Sequence, residues 1–165
     1  MKLNGVHWLE TQVTGFGNLK DEEKSEIIDF CMLWSFFEGE FLNENAGVIS
    51  IKEFVRNFEK SIDVVKPVLN DCVSYFRGRY VQDTNFTENY RGLNLSRSGN
   101  PAEVDMMLTN DDVSDTLKLT GCLIIIFRFR NNLFHGAKWK YNFHGQLSNF
   151  KHANELLTEL IKLGS

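Results

Sequence analysis

The sequence predicts an all-α protein, a single bundle of about five helices with a long loop between the third helix and the later ones. Three observations carry that expectation. Apolar residues recur at intervals of three and four along most of the chain. Fourteen Phe stand against two Pro in 165 residues, and bulky aromatics with few chain-breakers suit long, packed helices. Hydrophobic residues make up 42% and charged ones 24%, a balance that excludes disordered and collagen-like chains and fits one domain over residues 1–165.

After a loose start containing Gly15 and Gly17, periodicity begins near Asp21. Ile27, Phe30, Trp34, Phe37 and Phe41 draw one apolar stripe down a helix of about six turns. Ser50 with Glu53 reads as a capping box, and Ile51, Phe54, Val55, Phe58, Ile62 and Val65 keep the helical period behind it. Pro67 marks a kink or a new helix start, after which Val68, Leu69, Cys72, Val73, Phe76 and Tyr80 continue the pattern. From residue 82 to 100 the period disappears among Asn, Thr, Ser and Gly, which predicts a long surface loop. A short helix is expected over 101–108. Asp111 or Asp112 caps the next one. Its block at 123–127, taken alone, could be a buried strand, but the pattern runs on to Phe134 and stops at Gly136, a helix C-terminal signal. The expectation is a central helix buried nearly all round. Residues 138–143 alternate and suit an extended arm, and Leu147, Phe150, Ala153, Leu157, Leu160 and Ile161 make a last amphipathic helix.

Residues 1–18 contain no apolar segment behind a basic start, and the run at 123–127 is too short to cross a bilayer. A cytoplasmic protein without a membrane partner is expected. Cys31, Cys72 and Cys122 are scattered and odd in number, which argues against a disulfide framework and a structural zinc site. They read as buried hydrophobes. No metal or other cofactor is expected. The two glycosylation sequons at Asn85 and Asn94 read as chance matches without a secretory signal.

One constellation carries chemistry. The central helix ends Arg128-Phe129-Arg130-Asn131-Asn132-Leu133-Phe134-His135-Gly136. On a helix Asn131 and His135 lie one turn apart on one face, and Arg130 is long enough to reach their space. Arginine offers a planar fork for phosphate oxygens. Histidine moves protons near neutral pH. Together they suit metal-free cleavage of RNA, in which a 2'-hydroxyl attacks its own neighbouring phosphate. Against this stands a plainer reading: basic residues collect at helix C-termini for the macrodipole alone, and a histidine there can act as a cap. The paired amides Asn131 and Asn132 have no helix-forming purpose, which favours the chemical reading.

The segment Arg130-Asn131-x-x-x-His135 resembles the R-x(4–6)-H signature of the HEPN superfamily, small all-α domains with this motif near the end of a late helix. The helix holding Trp34-Ser35-Phe36-Phe37-Glu38 is similar, less specifically, to the first long helix of some of these domains. The resemblance implies a homodimer whose two motifs face each other across a cleft and form a metal-independent endoribonuclease. It also implies toxin–antitoxin or phage-defence biology, with an antitoxin or other defence-system protein as a possible partner. Arg130 and His135 would be catalytic and Asn131 would orient. Arg128 also satisfies the spacing and stands as auxiliary or alternative, with Asn132 in support. Other members of the superfamily only bind RNA or partner proteins, so a non-catalytic regulatory module is the competing expectation.

Charge offers a separate argument. The net charge of −4 speaks against nucleic acid at first sight, but residues 116–154 contain no acidic side chain and six basic ones, Lys118, Arg128, Arg130, Lys138, Lys140 and Lys151. The total of −4 less that +6 leaves −10 for the rest of the chain. A basic span with aromatics suits RNA, with Lys138, Trp139, Lys140 and Tyr141 as its RNA-binding candidates and Phe143 as a possible stacking ring. Glu38, at the edge of an apolar stripe, could pair with Arg128 or Arg130 and hold it in place, although a Glu in such a position more often reads as a solvated boundary residue. Arg91 and Arg97 in the long loop read as solvated.

Overall fold

In the computed structural model, which describes residues 4–136, 143 and 145–164, the helical periods become α-helical segments. The chain opens with α1 (Gly5–Gln12) and the single turn α2 (Thr14–Gly17), and α3 (Asp21–Phe41) and α4 (Val48–Phe58) follow. Next come α5 (Ile62–Tyr80), a two-residue antiparallel hairpin of β1 (Val81–Gln82) with β2 (Asn85–Phe86), and the single turn α6 (Glu88–Arg91). The later helices are α7 (Ala102–Thr109), α8 (Asp115–Phe134) and α9 (Leu147–Gly164). The all-α class holds. Among the described residues there are nine α-helical segments, two of them single turns, rather than about five helices. None of the described helices is long and apolar enough to cross a membrane.

Residues 119–129 are buried without a break, the state expected of a helix enclosed on every side. The block at 123–127 is therefore helical. α8 runs through the middle, and Gly121 lets α7 come close: a Cβ there would lie 3.0 Å from the Met107 Cβ and 3.2 Å from the Glu103 carbonyl oxygen. Phe rings join the layers. Phe30 of α3 meets Phe150 of α9 at 5.0 Å between centroids, Phe150 meets Phe129 of α8 at 6.4 Å, and Phe129 meets Phe76 of α5 edge-on at 5.8 Å. Each such buried ring stabilises the fold by roughly 1.5–3 kcal/mol through burial alone. α3 and α9 run parallel, since Glu22 pairs with Lys151 and Glu26 bonds Asn154. α5 is antiparallel to α9: Tyr75 donates to Asn149 Oδ1 near one end, and Arg79 donates to the Gly145 carbonyl beyond it.

Several local expectations shift. α4 and α5 part at a 3₁₀ turn, Glu59–Ser61, and Pro67 begins no helix but sits inside α5 on an exposed face. Water can there serve the carbonyl that the missing N–H leaves free. Ser50 does not open α4. Its Oγ reaches back to accept from the Gly47 N–H at 2.9 Å, so the helix starts at Val48. Ser114, not Asp111 or Asp112, caps α8, its Oγ accepting from Leu117 N–H at 3.2 Å. The largest correction concerns residues 82–100. They hold the hairpin, α6 and a 3₁₀ turn at Leu95–Ser98, and Leu93 and Leu95 are buried.

Candidate functional site

Two sets of polar side chains leave the last turns of α8 in different directions. Arg128 is 3% exposed. Its Nε donates to the Leu93 carbonyl at 2.9 Å and its Nη1 to Ser98 Oγ at 3.1 Å. Among the described residues it has no carboxylate within ion-pair distance, and burial, then the nearby charge of Arg97, push its pKa down. One turn on, the buried Asn132 donates from Nδ2 to the Gly92 carbonyl at 3.1 Å. These two side chains supply donors to the buried Leu93 carbonyl and to the neighbouring Gly92 carbonyl. That is why residues 92–98 lie against the helix.

The second set faces the end of α3. Arg130, with 31% of its side chain exposed, donates from Nη1 to Asn131 Oδ1 at 3.0 Å and places Nη2 3.5 Å from Glu38 Oε2. Its guanidinium carbon stands 5.4 Å from the centre of the Phe134 ring, and its buried Nε has no hydrogen-bond partner among the described residues. Glu38 is itself held, accepting from Trp34 Nε1 at 2.7 Å and from the Ala46 N–H at 3.4 Å. Glu38 is therefore not the solvated boundary residue that its position favoured, and of the two arginines it could pair with it meets Arg130. His135 is exposed at the C-cap of α8, its backbone N–H donating to the Asn131 carbonyl at 2.9 Å. Gly136 follows at φ +78°, a left-handed position that ends the helix.

Beside these groups lies a cavity of about 620 Å³ whose wall includes Asn131, Phe127, Ile49 and Arg97. Arg97 is exposed, as a solvated loop arginine should be, and its charge nonetheless reaches Arg128, because its neighbour Ser98 is bonded to that residue, a long-range contact with no local sequence signal. With Arg128 and Asn132 committed to residues 92–98, the end of α8 offers Arg130, Asn131 and the exposed His135, with Glu38 beside Arg130 and with Arg97 and Glu53 on the cavity wall. Such a set can bind an anion and exchange a proton with it.

The rest of the basic span is less concentrated than its sequence. Lys118 pairs with Asp115 at the far end of α8, and Lys151 pairs with Glu22. Lys138, Trp139, Lys140 and Tyr141 lie outside the described residues. Phe143 is 2% exposed and packs edge-on against Phe16 at 6.3 Å, so it is a core ring in this fold and not a platform for a base. Cys72 and Cys122 are buried free thiols, and burial raises the Cys72 pKa well above its ordinary value. Cys31 is half-buried. No family model, no curated protein and no solved structure matches this chain.

Proposed function

We propose that the protein is a metal-independent endoribonuclease of the HEPN type, acting as a toxin or phage-defence effector. One observation carries the reading. Arg130 and His135 leave the most enclosed helix of the fold at its open end, the imidazole exposed and the guanidinium fork held by Asn131 and Glu38. In the reaction, a ribose 2'-oxygen bonds to the adjacent phosphorus and the bond to the 5'-oxygen of the next nucleotide breaks. His135 moves a proton at the nucleophile or the leaving oxygen, and the remaining proton transfer falls to water or to the second copy of a homodimer. Arg130 stabilises the charge gathering on the phosphate oxygens. Asn131 sets the position of Arg130. RNA, a second copy of the chain and a restraining antitoxin or defence-system protein are the partners this reading calls for.

The test is direct. Purified protein incubated with total RNA in a chelator should leave fragments ending in 2',3'-cyclic phosphate, and His135→Ala should leave the RNA intact. Strict dependence on a divalent ion sinks the mechanism. The Arg130–Glu38 contact favours a second reading, a regulatory module that holds RNA without cutting it, because part of the guanidinium charge is already met. RNA retained by the wild type without fragments would select that reading.

A further inference from the structure

A trough of about 820 Å³ runs along the parallel pair α3 and α9, with Val68 of α5 at its side. Glu22, Glu26 and Asp29 line it from α3, and Glu155 and Glu159 line it from α9, against the single cation Lys151. Lys151 is taken up by Glu22, and Glu159 pairs with Lys162. Asp29 and Glu155 are exposed and form no ion pair among the described residues. The α3 wall from Glu22 to Leu33 extends about 16 Å at helical rise, roughly three turns.

The floor is fixed from within. Asn154 is 7% exposed and lines the trough. Its Nδ2 donates to the Glu26 carbonyl at 3.0 Å and to Glu26 Oε2 at 2.7 Å, which ties Glu26 to α9, and its Oδ1 is enclosed, with no hydrogen-bond partner among the described residues. Beside it the surface is apolar: Met32 is 69% exposed and adjoins Leu33 and Val68. A thioether side chain in such a place packs against varied apolar partners.

We propose that this trough docks a basic amphipathic helix of a partner protein. Its Lys or Arg side chains would lie among the carboxylates of α3 and α9. Its apolar stripe would cover Met32, Leu33 and Val68. Charge complementarity selects this occupant, since a polyanion such as RNA is repelled by the same carboxylates. A trough three turns long with an exposed apolar strip fits a helix better than a small organic cation. The inference rests on none of the residues at the end of α8.

The test uses the whole protein and a fluorescent 18-residue Lys/Leu peptide of amphipathic helical pattern, with binding followed by anisotropy and by amide shifts in labelled protein. Expected is a Kd below about 100 μM, shifts centred on Asp29, Met32 and Asn154, and weakening with salt. The exposed-site variants Asp29→Asn/Glu155→Gln and Met32→Ser should each weaken binding by about tenfold or more while leaving RNA cleavage unchanged. No binding, equal binding of a peptide with the same composition and scrambled pattern, or affinity unaffected by both variants would overturn the proposal. Spermine that competes with the peptide at equal molar affinity would overturn it in favour of a small-cation site. Loss of RNA cleavage by the His135 variant has no bearing on any of these readouts.

Discussion

Arg128 and Arg130 stand two residues apart on one helix and have opposite circumstances. The first is buried, donates to a carbonyl and a hydroxyl, and fastens residues 92–98. The second lies at the edge of the bundle between an amide, a carboxylate and a ring face, with about a third of its side chain in solvent. Four residues lie between Arg130 and His135 and six between Arg128 and His135, the two ends of the R-x(4–6)-H range. What separates them is the set of partners. A cation whose donors serve buried backbone acts for the fold, and one held loosely at an open edge can meet a ligand.

The comparison can be broken most severely at the open side. His135→Ala or Arg130→Ala should lower RNA cleavage by roughly 10²–10⁴-fold, read as the rate of cyclic-phosphate release. Thermal unfolding should barely move, because the partly exposed Arg130–Glu38 pair contributes at most about 1 kcal/mol. If both variants unfold instead, the distinction between the two faces is wrong. On the closed side, Arg128→Ala should cost about 2–4 kcal/mol in urea unfolding, because it leaves the Leu93 carbonyl buried and unserved. Arg128→Met, which restores packing without the donors, should recover only part of that loss. Asn132→Ala should cost about 1–2 kcal/mol and speed proteolysis within residues 88–98. An unchanged cleavage pattern there would show that Arg128 alone holds the segment.

The smallest effect lies at the opposite end of α8. The hydrogen bond from Lys66, then that from Lys118, holds the Asp115 carboxyl below its ordinary pKa. A carboxylate lowered in the folded state adds stability above its unfolded pKa, and the gain is lost as pH falls through the lower folded value. Lys66→Met should therefore lower stability only slightly at neutral pH and not at all once Asp115 is protonated. Urea titrations at several acidic pH values would register the convergence of the two proteins.

Much of this fold was legible in the sequence. The stripe from Ile27 to Phe41, the enclosed block at 123–127 and the pattern after Leu147 all become α-helices, because each repeats an apolar residue often enough to outweigh local ambiguity. Caps were harder. Asp111, Asp112 and Ser114 all carry oxygens able to accept a first-turn N–H, and the choice of Ser114 depends on where α8 meets the core. The break before α5 is carried by a 3₁₀ turn with no strong breaker, while the visible proline is tolerated on a solvent face. At the site, the motif showed itself as a cluster but not as a geometry. α8 is apolar nearly all round, so it has no polar face to say whether Arg128 or Arg130 points inward. The answer comes from residues 92–98, whose carbonyls select Arg128 over a separation of 35 positions.

The bond between Asn154 and Glu26 joins positions 128 residues apart. Helical bundles owe their fast folding to neighbours that meet early along the chain. Here the parallel seating of α9 against α3 cannot form until nearly the whole chain has closed on itself, and a search of that length carries an entropic toll before any contact is gained. The seam between those helices is expected to form late in assembly, and refolding of this protein should be slower than its helix content suggests. A refolding arm that slows further in Asn154→Ala would place that seam in the transition state, whereas an effect on unfolding alone would place it after.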